Sequence, residues 1–255
     1  MKKPIIFFAF ILLLKVNSAF AQNKHFITSG VIEFERTANM FALVKKKITK
    51  STMENQRYYD QYLRTEPQFR KLKSTLTFDA NTSAFVPFQV PNVHWWYDSP
   101  MANQINIVFS DLKNGTSIVQ KEFYERTYLV KDSIRQIKWK ITDETREIAG
   151  YKCRRANGVM LDSIYVVAFY TEDIHVSGGP ESFNGLPGMI LGVAVPHENV
   201  TWFATSVKEK IVDPKMLLAP KKGKEVNNKV MKEEIMKAIG NHGDFAIVEL
   251  KGLLL

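Results

Sequence analysis

Apolar and polar side chains alternate with period two along most of this chain, and that period predicts strands. Gly30-Val31-Ile32-Glu33-Phe34-Glu35-Arg36 sets apolar positions against charged ones, the pattern of a half-buried strand. Leu72, Leu76 and Phe78 occupy alternate positions. Asp79-Ala80-Asn81 then supplies turn chemistry and residues 83–88 return, so 69–88 reads as a hairpin. Strand signals recur at the spacing of an antiparallel meander: 105–109, an Asn114-Gly115 turn, 116–122, 123–130 and 136–142, which carries Trp139 between two lysines. Residues 147–155 and 162–170 read as a further pair joined at Asn157-Gly158. Ile164-Tyr165-Val166-Val167-Ala168-Phe169-Tyr170 is apolar on both faces, which predicts a central, covered strand. Alternation returns at 200–207, and Asp213-Pro214 is read as the end of the sheet region.

Helical periodicity is confined to two stretches. In 51–66, Ser51 and Glu54 have capping-box spacing, Met53, Tyr58, Tyr62 and Leu63 share a face, and Pro67 stops the helix. In 224–239, Val226, Val230, Ile235 and Ile239 form a thin stripe on a charged, peripheral helix. Residues 245–255 are apolar and read as a final strand or a loose tail. The fold class expected is mainly β with minor α: a curved antiparallel sheet or partly open barrel with one or two helices packed on it. An antiparallel β domain would cover 22–213, and a C-terminal helix and apolar tail 214–255.

Two segments break the alternation. Pro91 and Pro100 bracket a loop holding Trp95, Trp96 and Tyr97; adjacent aromatics on a loop cannot all face one core, so these are candidate ligand or partner contacts. Residues 171–184 contain Ser177-Gly178-Gly179-Pro180 and lead into Phe183-Asn184-Gly185-Leu186-Pro187-Gly188-Met189-Ile190. Pro187 presets φ and Gly188 accepts positive φ, which predicts a type II turn. Gly185 would admit a close backbone neighbour, and Leu186 and Met189 would anchor the turn from either side.

Composition changes this picture in three ways. Lys2 and Lys3, the apolar run 5–14 and Ala19-Phe20-Ala21 read as a signal peptide over 1–21, too short to span about 30 Å of hydrocarbon. The chain is then expected to be exported, to the periplasm or the extracellular space, with the outer membrane as one place of association. Its charge falls from +9 to +6 without Lys2, Lys3 and Lys15, a diffuse basicity suited to solubility or to anionic envelope polymers rather than nucleic acid. The single cysteine, Cys153, excludes an internal disulfide and any zinc site needing two cysteines; its strand setting predicts a small buried side chain. No spacing signal marks a metal or cofactor site, and no Gly-x-Ser-x-Gly is present. His175, His197 and Glu198 would form a two-histidine, one-carboxylate set only if the loop and strand fold back together. The carboxylate pairs Asp143-Glu144 and Glu172-Asp173 read as solvated turns.

Gly185-Leu186-Pro187-Gly188-Met189-Ile190 resembles the signature of the GLPGLI family, with Met189 where leucine is usual. Gly150-Tyr151-Lys152-Cys153-Arg154-Arg155-Ala156, the strand ending Phe169-Tyr170-Thr171, and Gly179-Pro180-Glu181-Ser182-Phe183 follow that family's order and spacing, so the resemblance runs from about Trp139 to Val207. It implies an exported Gram-negative envelope protein with no agreed activity, and, by analogy of fold, a curved sheet cradling a helix. The reading this supports is a non-catalytic protein that binds an apolar ligand or a partner segment, with no cofactor. The alternatives are an interaction subunit of an outer-membrane transport or secretion assembly, docking through the turn, and a metal-dependent enzyme using His175 and His197.

Overall fold

The computed structural model describes residues 25–48, 53–88, 100–103, 105–123, 125–161, 163–240 and 250–255. The signal segment 1–21 and Trp95, Trp96 and Tyr97 lie outside them. The elements in order are β1 (Gly30–Asn39), α1 (Met40–Lys47), α2 (Met53–Thr65), β2 (Phe69–Phe78), β3 (Thr82–Pro87), α3 (Pro100–Asn103), β4 (Asn106–Asp111), β5 (Thr116–Phe123), β6 (Arg126–Ser133), β7 (Lys138–Ile148), β8 (Tyr151–Met160), β9 (Ile164–Thr171), β10 (Met189–Val195), β11 (Val200–Glu209), β12 (Lys224–Val226) and α4 (Asn228–Ile239). Residues 250–254 are also helical.

The described strands form one sheet of order β12-β6-β5-β4-β3-β2-β1-β11-β10-β9-β8-β7. Every neighbouring pair is antiparallel except β12 beside β6. Connectivity forces this sheet to curl. β6 and β7 stand ten strand spacings apart, which in a flat sheet would be about 48 Å. Yet only residues 134–137 join them, and five virtual bonds reach at most about 19 Å. The two ends of the sheet therefore face each other across a seam, as the partly open curved sheet of the sequence reading requires.

The alternation is read out faithfully on β1, where Gly30, Ile32, Phe34, Arg36 and Ala38 are buried and the residues between them are not. β9 is covered on both faces, as its composition predicts, although it is the third strand counted from the β7 edge rather than mid-sheet. Asn39 accepts from Ala42 N at 3.3 Å and caps α1, which buries Met40, Leu43 and Val44. On α2, Tyr62 is buried and meets Phe41 edge-on at 6.2 Å.

Four expectations are corrected. Asn157-Gly158 is not a turn: both residues lie inside β8, and Gly158 is opposite Trp139 on β7. A Cβ at Gly158 would sit 2.8 Å from the indole, so the glycine makes room for the ring instead of turning the chain. The β8–β9 hairpin turns instead after Met160, with Leu161 at positive φ, and a separate turn at Ala149 and Gly150, both at positive φ, joins β7 to β8 and cuts the expected strand 147–155. Asp143-Glu144 falls within β7, where the pairing with β8 is irregular between Ile141 and Thr145. The sheet does not end at Asp213-Pro214, because β12 adds to β6 with Lys224 opposite Tyr128; the helix thus starts only at Asn228, capped by Asn227. Finally, the apolar tail is helical over 250–254, and Leu253, Leu254 and Leu255 are buried.

Candidate functional site

The inner face of the curled sheet carries polar groups in register with its core. On β1 and β11, Arg36 and Trp202 are directly opposite, with the guanidinium carbon 4.8 Å from the indole centroid. On β4 and β5, Asn106 and Lys121 are opposite, and both are buried. Each occupies a position that the period of two assigns to the core: Arg36 between Phe34 and Ala38, Lys121 between Val119 and Phe123.

The long loop delivers the counter-charge. Glu181 is buried, and Asn106 Nδ2 donates to its Oε2 at 2.9 Å. Its φ of 51° is the left-handed region, uncommon for a side chain of this kind. Burial pushes the Glu181 carboxyl above its usual range, opposed by Arg36, Asn106, Lys121 and Trp202. The Trp202 Nε1–H is among these influences but reaches no hydrogen bond of ordinary geometry. Burial, with Arg135 nearby, lowers Lys121 to about 7, while Glu181 acts the other way. A recess of about 10 Å³, room for one water, lies between Arg36, Glu181, Trp202 and Phe88.

Three donors around this centre hold one short segment. Lys121 Nζ donates to Leu253 O at 2.7 Å, Arg135 Nη2 to Leu254 O at 2.6 Å, and Ser182 Oγ to Leu255 O at 2.7 Å. These are carbonyls that a helix end cannot satisfy within itself, and cations there also meet its negative pole. Arg36 donates to Met101 O on α3, and Gly252 packs so closely on α3 that a Cβ would lie 2.4 Å from Met101 N. Lys251 reaches Glu198 at 3.3 Å, which Lys46 also contacts at 3.3 Å.

The turn motif holds the loop that carries Glu181. Leu186, Met189 and Ile190 are buried, and Gly185 and Pro187 are exposed. Phe183 packs edge-on against Trp202 at 5.5 Å, and Trp139 Nε1 donates to Asn184 O at 2.8 Å. The glycines exchange the roles that the sequence suggests. Gly188 does not take positive φ; its N donates to Leu186 O at 2.8 Å, a three-residue turn centred on Pro187 in place of a type II turn. Gly188 is small because a Cβ would lie 2.1 Å from Thr171 O. Gly185 is the residue at positive φ, 89°, and no close neighbour crowds it.

The histidine set is not assembled. His175 is exposed, with Phe26 at 4.3 Å, and His197 is exposed on the turn Pro196–Glu198. Glu198 is engaged by lysines, and among the described residues no three His, Cys, Asp or Glu come together as a metal site. Cys153 is buried, and burial pushes its thiol up to about 12, so it carries no thiolate chemistry near neutrality.

The fold and this centre can be set against known proteins. No curated protein matches the chain in sequence. Two solved structures of PNGF-II, in the P21 and C2 space groups, superpose with TM-scores of 0.51 each at 17% and 16% identity. They cover 83% of this chain, which spans only about a third of PNGF-II (34% and 33%), so the likeness is one of fold. A family model described as N-glycanase peptide, N-terminal domain matches residues 102–232, from α3 through β4–β12 into α4, and includes Lys121, Glu181 and Trp202. With half of its length matched, this chain belongs to the family of N-glycanase N-terminal domains.

Proposed function

We propose that this chain is an exported, non-catalytic binding protein of the envelope whose inner site holds a partner polypeptide segment. The observation that carries the reading is the capture of three successive carbonyls, those of Leu253, Leu254 and Leu255, by Lys121, Arg135 and Ser182. Here the chain's own helical segment 250–255 fills the site; a leucine-rich helix end from another polypeptide presents the same carbonyls and apolar side chains. The apolar-ligand form has less support, because the recess beside Glu181 has room only for one water. Docking through the turn also has less support, since Leu186 and Met189 face the core.

The word N-glycanase in the family's description has no counterpart in a feature of this site. Glu181 is one buried carboxyl among cations, and the recess beside it has room for one water and not for a sugar. The test is binding of a labelled peptide with the sequence of residues 250–255 to the full chain and to its Gly252→Val variant. The added side chain must displace the segment from α3, so the variant should bind the peptide saturably and the parent weakly. Arg135→Ala placed in the variant should weaken binding. A peptide that binds neither form, with both folded by circular dichroism, refutes the reading. Release of glycan from a glycoprotein by the parent, lost in Glu181→Gln, would replace it with an enzymatic one.

A further inference from the structure

The outer face of β7, β8 and β9 carries a second group of cations, which meets the inner centre only at Arg135. Cross-strand register aligns Lys138, Val159 and Tyr165 in one row, and Lys140, Asn157 and Val167 in the next. Lys138, Lys140, Asn157, Val159 and Tyr165 of these rows, with Arg135 at the seam, line an open groove of about 710 Å³, within the size range of ligand sites. No acidic residue lines it among the described residues. The Lys138 and Lys140 side chains make no ion pair or hydrogen bond among the described residues, and Glu144 on β7 is engaged by Arg155 at 2.6 Å. Beside these cations, Val159 is 55% exposed and Leu161 39%.

Free lysines together with exposed aliphatic residues match an interface that has phosphates outside and hydrocarbon beneath. We propose that this groove binds the phosphate headgroup of an anionic phospholipid and docks the outer face of β7–β9 on a membrane surface. Lys138 and Lys140 take the phosphate, while Val159 and Leu161 enter the acyl boundary. A free phosphate would use the cations and leave the aliphatic pair idle, and that difference separates the two sources.

The experiment is co-sedimentation of the full chain with vesicles of phosphatidylcholine alone and with phosphatidylglycerol added. Binding should require phosphatidylglycerol. Lys138→Gln with Lys140→Gln should weaken it about 30-fold, on the usual worth of two basic side chains near a charged surface. Val159→Ser with Leu161→Ser should weaken it further at unchanged charge. The control pair Lys221→Gln with Lys222→Gln removes the same charge elsewhere. Equal loss from both lysine pairs means diffuse attraction and overturns the site. Glycerol phosphate displacing the chain at the concentration of vesicle headgroup, with no effect of the aliphatic pair, overturns the membrane assignment. Absence of binding to any vesicle overturns the proposal as a whole.

Discussion

Lys121 and Lys138 are the same residue type on strands of the same sheet, and their environments are opposite. Lys121 faces inward between Val119 and Phe123, donates to a backbone carbonyl, and is pushed down to about 7 by burial. Lys138 faces outward beside Val159, in a groove open to solvent. Register alone makes the difference, because a strand sends successive side chains to opposite faces. Inside, a charge is tolerated only where it has partners of its own; outside, water solvates it at little cost and leaves it free for a ligand.

The largest effect should come from breaking the inner set. Glu181→Leu leaves Arg36 and Lys121 without their carboxyl partner and should cost about 3–5 kcal/mol in urea unfolding. Adding Arg36→Met should return a substantial part of that, since apolar replacement of a whole buried pair is often neutral. If the double variant loses the sum of the two singles, Arg36 and Glu181 act independently and the inner centre is not one unit.

Next is the corner that holds Glu181 in place. Gly188→Ala must force β9 and the loop apart at Thr171 O and should cost about 1–3 kcal/mol, as overpacking does. Gly185→Asn should cost less, because asparagine tolerates positive φ and no neighbour crowds the site. A type II turn with Gly188 at positive φ would reverse this order, so the two thermal midpoints discriminate between the geometries.

The inner lysine should also leave a signature in pH. Burial lowers its pKa in the folded state to about 7, well below the ordinary lysine value of 10.5. Between these values the unfolded chain binds the extra proton, so stability should rise with pH by at most about 1.4 kcal/mol per unit, and be flat in this contribution below 7. Glu181 works in the opposite sense at lower pH: its raised pKa means that the folded state holds the proton longer, and stability falls as pH climbs from the ordinary carboxyl range to the raised value. Lys121→Met should flatten the alkaline rise. A slope that persists unchanged in that variant assigns it to another group.

How far these features can be read in the sequence follows from the physics that makes each. The strands are legible because burial of one face imposes the period of two, and the Asp79 turn because its carboxylate accepts from Asn81 and Thr82 N at 2.8 and 2.7 Å. Arg36 and Lys121 are legible too, as charges at core positions of an alternating strand. Glu181 was visible in Gly179-Pro180-Glu181-Ser182-Phe183, but its inward path depends on positive φ and on the close approach of Gly188 to β9. The tail 250–255 looked loose because the donors that cap it lie 132 and 119 residues away, at Lys121 and Arg135. Asn157-Gly158 misled because the pair commonly makes a hairpin turn; here tertiary packing against Trp139 prevails over local propensity.

The smallest effect belongs to the outer lysines, and its smallness is what completes the contrast. Lys138 and Lys140 lie on solvent-facing rows and have no partner among the described residues, so replacing both with glutamine removes no folded-state interaction. Their loss also relieves mutual repulsion between cations that alternate along one strand face. The unfolding free energy should therefore stay within about 0.5 kcal/mol of the parent, or rise slightly. The same two changes should nonetheless abolish most vesicle binding. A loss of stability comparable with Glu181→Leu would mean that these lysines hold the fold together, and the distinction between an inner structural centre and an outer binding face would fail.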